Sequence, residues 1–164
     1  MFQRITVLIA MIALSICGAR AGGKADEKLS ISFHVETEAS DNPKMIVPFK
    51  MPDGSTKYFR RVPDFSVRDI ENMAPFPADD ESTYGIVFKL KENAAQRYEA
   101  ISLANEGKMM CAQVNGRFVD AVIIDKAIKD GVIVIWRDVT LDDINAFDKI
   151  IPRIGQKKPK GNKK

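Results

Sequence analysis

Apolar and polar side chains alternate along several short stretches of this chain, and that spacing predicts strands. In LSISFHVETE, Leu29, Ile31, Phe33 and Val35 fall on one side of an extended backbone and polar residues fall on the other, which is the pattern of a half-buried strand. The stretch YGIVFKL alternates in the same way, and the continuously apolar VIVIW predicts a buried strand.

Two turn sequences predict β-hairpins. Asn115-Gly116 lies between the apolar runs MMCAQV and RFVDAV, and this pair is the strongest short signal for a two-residue hairpin turn. Asp53-Gly54 lies between two strand-like pieces, residues 45–50 and 57–62. Because Pro48 has no N–H group to donate to a neighbouring strand, we expect its strand at the edge of a sheet.

Helical spacing of apolar residues predicts two helices and a shorter third one. The stretch ENAAQRYEAISLANEG predicts one helix with Gly107 at its C-terminal cap, and another is expected from Leu141 to Pro152 with Thr140 and Asp143 as its capping box. Ser66 is suited to cap a short helix over residues 67–73, before the loop APFPADDEST. Together these elements predict an α+β fold, a mainly antiparallel sheet with two or three helices packed on one face.

The first residues have the three-part pattern of a secretory signal peptide. Arg4 precedes an apolar run of about 12 residues, which is short of the ~20 that a membrane-spanning helix needs. Ala19 and Ala21 then provide small residues before a cleavage point, so we expect export to the periplasm or the cell exterior. The alternative is acylation of Cys17, which would leave a lipid-anchored protein, but the bulky Ile16 before it favours simple cleavage.

The chain then divides into four segments and two regions of opposite charge. We expect a signal peptide over residues 1–21, a polar leader over 22–28, a single α+β domain over 29–155 and a disordered basic tail over 156–164. Residues 22–156 hold all 22 acidic residues and 18 of the 25 basic ones, which gives them a formal charge of −4.

The basic tail carries no aromatic residues, which disfavours a nucleic-acid partner. It is a candidate for contact with an anionic lipid or polymer surface, and the simpler alternative is a tail that only aids solubility. The candidate residues are Lys157, Lys158, Lys160, Lys163 and Lys164.

Few residues suggest chemistry, and we expect no cofactor. His34 and Glu36 lie on the polar side of the first predicted strand, where solvent exposure is the simplest expectation and a metal site is the alternative. Cys111 is expected to be a small buried side chain, with an intermolecular disulfide or a dyad with His34 as alternatives. The acidic run 79–81 lacks the spacing of a calcium loop and is expected to be a solvated loop.

Aromatic and methionine residues are concentrated between residues 45 and 88. They are suited to a core, or to an adaptable surface that binds a protein or an extended peptide, with the strand of Pro48 as an edge for strand addition. The candidate partner-binding residues are Phe49, Met51, Tyr58 and Phe59.

Residues 84–151 resemble the head region of the periplasmic domain of SecD-like protein-export proteins. The resemblance rests on GIVFKLKENAAQRYEAI, NEGKMMCAQVNGRFVDAVII, KAIKDGVIVIW and TLDDINAFDKI. It departs from the family at Ala121-Val122, where a proline is usual, and in lacking the membrane-spanning helices that follow in the family. The resemblance implies an exported, cell-envelope protein whose domain is a binding module and not an enzyme.

The sequence therefore predicts a non-enzymatic, exported module that binds a protein or an extended peptide. Two alternatives stay open. One is a small exported hydrolase or metal-dependent enzyme that uses His34, Glu36 or Cys111. The other is a structural envelope subunit that works as an oligomer, since the sequence leaves the oligomeric state undefined.

Overall fold

The computed structural model describes residues 29–51 and 53–156. The predicted signal peptide, the polar leader, Cys17 and the five tail lysines lie outside these residues. The described elements, in chain order, are β1 (Ile31–Thr37), β2 (Ile46–Lys50), β3 (Thr56–Arg60), β4 (Phe65–Ser66), β5 (Ile70–Pro77), β6 (Tyr84–Leu90), α1 (Glu92–Ala104), β7 (Met109–Val114), β8 (Arg117–Ile123), β9 (Val132–Val139) and α2 (Leu141–Phe147).

The strands form two antiparallel sheets, which confirms the predicted α+β fold with two helices. One sheet has six strands in the order β2-β3-β1-β7-β8, with β4 also paired to β1. The other has three strands in the order β5-β6-β9. Within residues 29–51 and 53–156, neither helix has the length and apolar character that crossing a membrane requires.

One apolar core joins both sheets and both helices. Phe88 of β6 packs edge-to-face against Phe33 of β1, at 5.9 Å between ring centroids, and against Phe147 of α2, at 6.1 Å. Tyr98 of α1 packs against Phe65 of β4 in the same geometry, at 5.3 Å. All five side chains are 2% exposed or less. We call the face of each sheet that contacts this core its inner face, and the opposite face its outer face.

Both predicted hairpins are confirmed. Asn115 and Gly116 have φ angles of +51° and +75°, as a type I′ turn requires at its two central residues, and they join β7 to β8. The other hairpin joins β2 to β3, and β2 lies at the edge of its sheet as Pro48 predicted. The capping box of Thr140 and Asp143 is also confirmed at the start of α2.

The predicted helix over residues 67–73 is wrong. Ser66 and Asp69 do form a capping box, but it starts a single 3-10 turn, Val67–Asp69, that passes directly into strand β5. The strand extends to Pro77, through residues that the sequence suggested as a loop. Pairing with β6 outweighs the weak helical signal, since Met73 alternates inward to the core and is fully buried.

Prolines are compatible with β5 because they lie along its outer edge. The backbone N–H and C=O of Met73 face away from β6 and bond to Pro152 O, at 3.0 Å, and Ile154 N, at 2.8 Å. Backbone direction repeats every second residue in a strand, so Pro75 and Pro77 face the same way. Their missing N–H groups therefore cost the sheet no ladder hydrogen bond.

Helix α2 ends at Phe147, before the predicted end at Pro152. Asp148 accepts two hydrogen bonds from the Arg153 guanidinium, at 2.8 and 2.7 Å. This ion pair closes the turn that follows the helix and directs the chain toward β5.

Candidate functional site

Of the four residues that the sequence suggested for partner binding, Phe59 is fully buried and offers no exposed side-chain surface. The ring of Phe49 lies edge-to-face on Phe59, at 5.7 Å, and also contacts Phe118 of β8, at 5.1 Å. Because β2 and β8 are at opposite ends of the strand order, this contact shows that the β2–β3 hairpin folds back over the outer face of its sheet. Phe49, Met51 and Tyr58 are partly exposed.

The outer edge of β2 offers few groups to an added strand. Arg61 N bonds to Met45 O inside the hairpin, so alternation directs the backbone of Ile46 and Pro48 outward. Pro48 has no N–H to offer there. The Arg61 guanidinium occupies the carbonyl oxygens of Lys44, at 2.9 Å, and Ile46, at 3.0 Å. This edge has the features with which natural sheets resist strand addition.

The hairpin also covers the polar side of β1, so the expectation that His34 is solvent-exposed is wrong. His34 is 6% exposed and lies opposite Cys111 in the β1–β7 register. Its Nδ1 is 2.7 Å from Arg60 O and its Nε2 is 2.8 Å from Ser32 Oγ. The fold therefore brings the histidine and the cysteine together, but both ring nitrogens bind other groups.

Burial shifts the pKa values of both His34 and Cys111. Burial raises the pKa of the Cys111 thiol to about 12, so the reactive thiolate is scarce at neutral pH. Burial also lowers the pKa of His34 below its ordinary value, against the opposing effects of the Arg60 carbonyl and Asp64. The expectation that Cys111 is a buried side chain is confirmed.

The remaining candidates for metal binding are dispersed. Glu36 bonds to Lys57 Nζ, at 2.8 Å, and to the backbone N–H of Met109, at 2.9 Å. Residues 79–81 are exposed in the loop between β5 and β6, as expected. Across residues 29–51 and 53–156, no group of three or more His, Cys, Asp or Glu side chains could hold a metal ion.

The outer face of the three-stranded sheet carries apolar side chains that stay accessible. The registers align Ala74, Val87 and Val134 in one row across β5, β6 and β9. Their immediate neighbours Met73, Phe88 and Ile133 point inward to the core, so this row points outward. We define the Trp136 face as Ala74, Phe76, Val87, Val134 and Trp136.

Trp136 is the most exposed residue of this face, at 58%. Its ring is edge-to-face with Phe76, at 6.0 Å between centroids. Gly85 lies between the two strands that carry them, and a Cβ there would be 2.2 Å from Phe76 Cζ. Because Gly85 has no side chain, the Phe76 ring packs directly against the backbone of β6.

Asp120 links the two sheets beside this face. Strand β8 ends the order of one sheet and β9 ends the order of the other. The buried Asp120 carboxylate accepts from the backbone N–H of Ala121 in β8, at 2.9 Å, and of Trp136 in β9, at 2.8 Å. Arg117 makes a second link, donating to Asp138 O at 2.8 Å. Both strand edges therefore have backbone groups bonded to side chains.

A cleft of about 490 Å³ opens along this junction. It is lined by Asp79 and Asp80 of the β5–β6 loop, by residues 120–122 of β8, and by Trp136 and Arg137 of β9. We call it the acidic cleft, because three carboxylates and one guanidinium line it.

Hydrogen bonds fix the loop that contributes Asp80 to the acidic cleft. The Thr83 hydroxyl accepts from Asp138 N, at 3.0 Å, and donates to Asp80. Bonds from Thr83 and from the Ser82 backbone hold the pKa of Asp80 at about 2. This carboxylate is therefore ionised at any pH where the protein is expected to work.

The Trp136 face was not recognised in the sequence. The apolar run VIVIW predicts a buried strand, and the structure buries Ile133 and Ile135 but exposes Trp136. Phe76 lies in a stretch whose sequence predicts a loop. The alternation of Ile133, Val134, Ile135 and Trp136 is the available signal, because an antiparallel sheet can leave one face uncovered by its own domain.

Comparison with known proteins identifies a fold and no close relative. The sequence matches no protein-family model and no curated protein. A structure of SecDF, described as a membrane component that enhances protein export, matches with a TM-score of 0.50 and 17% identity, over 71% of this chain and 58% of that one. SecDF in its super-membrane-facing form gives 0.49 and 16%, over 70% and 17%.

This chain therefore spans little more than half of the first SecDF chain and about a sixth of the second. The likeness is one of fold. It covers a larger share of the chain than residues 84–151, in which the sequence resembled the SecD head region.

Proposed function

We propose that this chain is an exported, non-enzymatic module that binds a segment of another polypeptide on the Trp136 face. The observation that carries the proposal is the exposure of Trp136, at 58%, within an apolar sheet face. Exposed apolar patches on soluble domains mark interaction sites, and tryptophan is enriched among the residues that dominate binding energy.

The geometry of the face suits an extended segment. Val134 and Trp136 are two residues apart on β9, so their side chains lie about 6–7 Å apart on the same side of the sheet. A polypeptide that runs along β9 in extended form has the same repeat. It would place alternate side chains against Val134 and Trp136, with Phe76 beside the second.

The setting is proposed from two independent signals. The N-terminal residues have the pattern of a secretory signal peptide. The fold is similar to part of SecDF, a membrane component that enhances protein export. We propose a place in the cell envelope and a role connected with protein export, and both signals support it without depending on the Trp136 face.

The alternatives have less support. Catalysis by Cys111 or His34 would need an accessible thiolate or imidazole, but both side chains are buried and both ring nitrogens of His34 are bonded to other groups. On the β2–β3 hairpin, Met51 and Tyr58 are partly exposed, but Pro48 and the Arg61 guanidinium block the edge of β2.

The test uses Trp136 itself, because it is the one tryptophan of the sequence. The probe is a tryptophan-free polypeptide kept unfolded by reduction and carbamidomethylation, which adds no charge. We expect its binding to shift Trp136 emission to shorter wavelength, as the indole loses water. Labelled probe should then bind Trp136→Ala at least about tenfold more weakly, whereas Leu103→Ala, a change at an equally exposed apolar residue of α1, should leave affinity unchanged.

Absence of binding by the wild-type chain would contradict the proposal, and so would equal binding by Trp136→Ala. Loss of affinity in Tyr58→Ala but not in Trp136→Ala would transfer the function to the hairpin.

A further inference from the structure

We infer that the segment bound on the Trp136 face presents a lysine or arginine side chain to the acidic cleft. This inference rests on the proposed function and adds the chemistry of the partner to it. The cleft and the Trp136 face share Trp136, so one bound segment can occupy both.

The charges that line the cleft favour a cation. Asp79, Asp80 and Asp120 face a single guanidinium, Arg137, which leaves a formal charge of −2. Arg137 Nε is 4.0 Å from Asp120 Oδ1, and the Arg137 side chain is 63% exposed. A pair of this length and exposure is largely screened by water, so the cleft keeps its negative character.

Two further features favour a cation at this position. Asp79 and Asp80 are exposed at the rim of the cleft, and the low pKa of Asp80 keeps its charge. Trp136 lines the same cleft. The face of a tryptophan ring attracts an ammonium or guanidinium group within about 6 Å, so carboxylates and ring act on the same charge.

The same charges disfavour other occupants. An anionic lipid surface would be repelled by Asp79 and Asp80. Residues 22–156 of a second copy carry a formal charge of −4, so docking of that part of the chain against the acidic cleft would cost free energy at low ionic strength. A basic, extended segment of another protein meets the apolar face and the carboxylates together.

The test compares two fluorescein-labelled peptides of 12 residues, in which leucine and serine alternate and one central serine is replaced by lysine or by glutamate. At low ionic strength we expect the lysine peptide to bind about fivefold more tightly than the glutamate peptide, or better. The ratio of the two dissociation constants should approach one at ~0.5 M salt. Asp79→Asn should reduce this ratio, whereas Glu106→Gln, the same loss of charge at an exposed residue outside the cleft, should leave it unchanged.

The outcomes separate this inference from the proposed function. Equal binding of both peptides, lost in Trp136→Ala, would overturn the basic preference and leave the binding face intact. Binding of neither peptide would overturn both. A dimer in sedimentation at the titration concentration, with Trp136 emission already shifted, would identify a second copy as the occupant and would also overturn the inference.

Discussion

The carboxylate of Asp120 accepts a hydrogen bond from the backbone N–H of Trp136, at 2.8 Å, across the junction between the two sheets. Its other oxygen accepts from Ala121 N, at 2.9 Å. One buried side chain therefore accepts a backbone N–H from each of two strand edges and positions Trp136, the most exposed aromatic residue in the described part of the chain. The junction between the sheets and the candidate binding face depend on the same contact.

Replacement of Asp120 by alanine should destabilise the fold by about 1 kcal/mol, because it leaves two partly buried N–H groups without their carboxylate acceptor. Asp120→Asn keeps an acceptor oxygen and should cost less. Urea unfolding followed by far-UV circular dichroism measures both. Equal stability of Asp120→Ala and the wild type would show that the contact does not hold the sheets together.

Truncation of Phe59 should be among the most damaging changes in the hairpin. Phe59 is fully buried under Phe49, so Phe59→Ala should cost about 3–5 kcal/mol. Its neighbour Tyr58 is partly exposed, and Tyr58→Ala should cost about 1 kcal/mol or less. A lower urea midpoint for Tyr58→Ala than for Phe59→Ala would mean that the hairpin does not cover the sheet as described.

The thiol of Cys111 should resist alkylation in the folded protein. With a pKa of about 12, about one thiol in 10⁴ is ionised at pH 8, against roughly a quarter for an ordinary cysteine. Iodoacetamide labelling, quantified by mass spectrometry on the peptide that contains residue 111, should be slow without denaturant and fast in guanidinium chloride. Fast labelling under native conditions would contradict the buried position.

Stability should fall when the pH drops below about 6.5, through His34. Burial lowers the folded-state pKa of His34 below 6.5, so between the two values the unfolded chain binds more protons, and the free energy of unfolding decreases as pH decreases. The contribution is fully present above pH 6.5. His34→Gln should weaken the pH dependence of the urea midpoint between pH 6.5 and 5. An unchanged pH dependence would mean that other groups cause it.

Local signals in the sequence were sufficient for most of the fold. The Asn115-Gly116 turn and the capping box at Thr140 depend on neighbouring residues, and both are present. The errors involve contacts between distant residues. Polar and apolar residues alternate along β1, which predicts that His34 faces water. The hairpin that starts 12 residues later covers this side chain instead. The helix expected after Ser66 was displaced by pairing with β6.

The candidate site was harder to predict for the same reason. The exposure of Trp136 depends on β9 being an edge strand whose outer face stays uncovered, and the acidic cleft joins residues about 40 positions apart in the sequence. Neither the sheet order nor the junction at Asp120 follows from local spacing. Sequence reasoning places the candidate contact on the hairpin, and the proposal of the Trp136 face rests on the structure.

The most direct test of the central claim is to map amide chemical shifts of the isotope-labelled chain while the unfolded, carbamidomethylated polypeptide is added. Binding on the Trp136 face predicts that the largest shifts lie at Val87, Val134 and Trp136, and that Met51 and Tyr58 on the hairpin stay unchanged. Shifts confined to the hairpin, or no shifts at saturating probe, would contradict the claim.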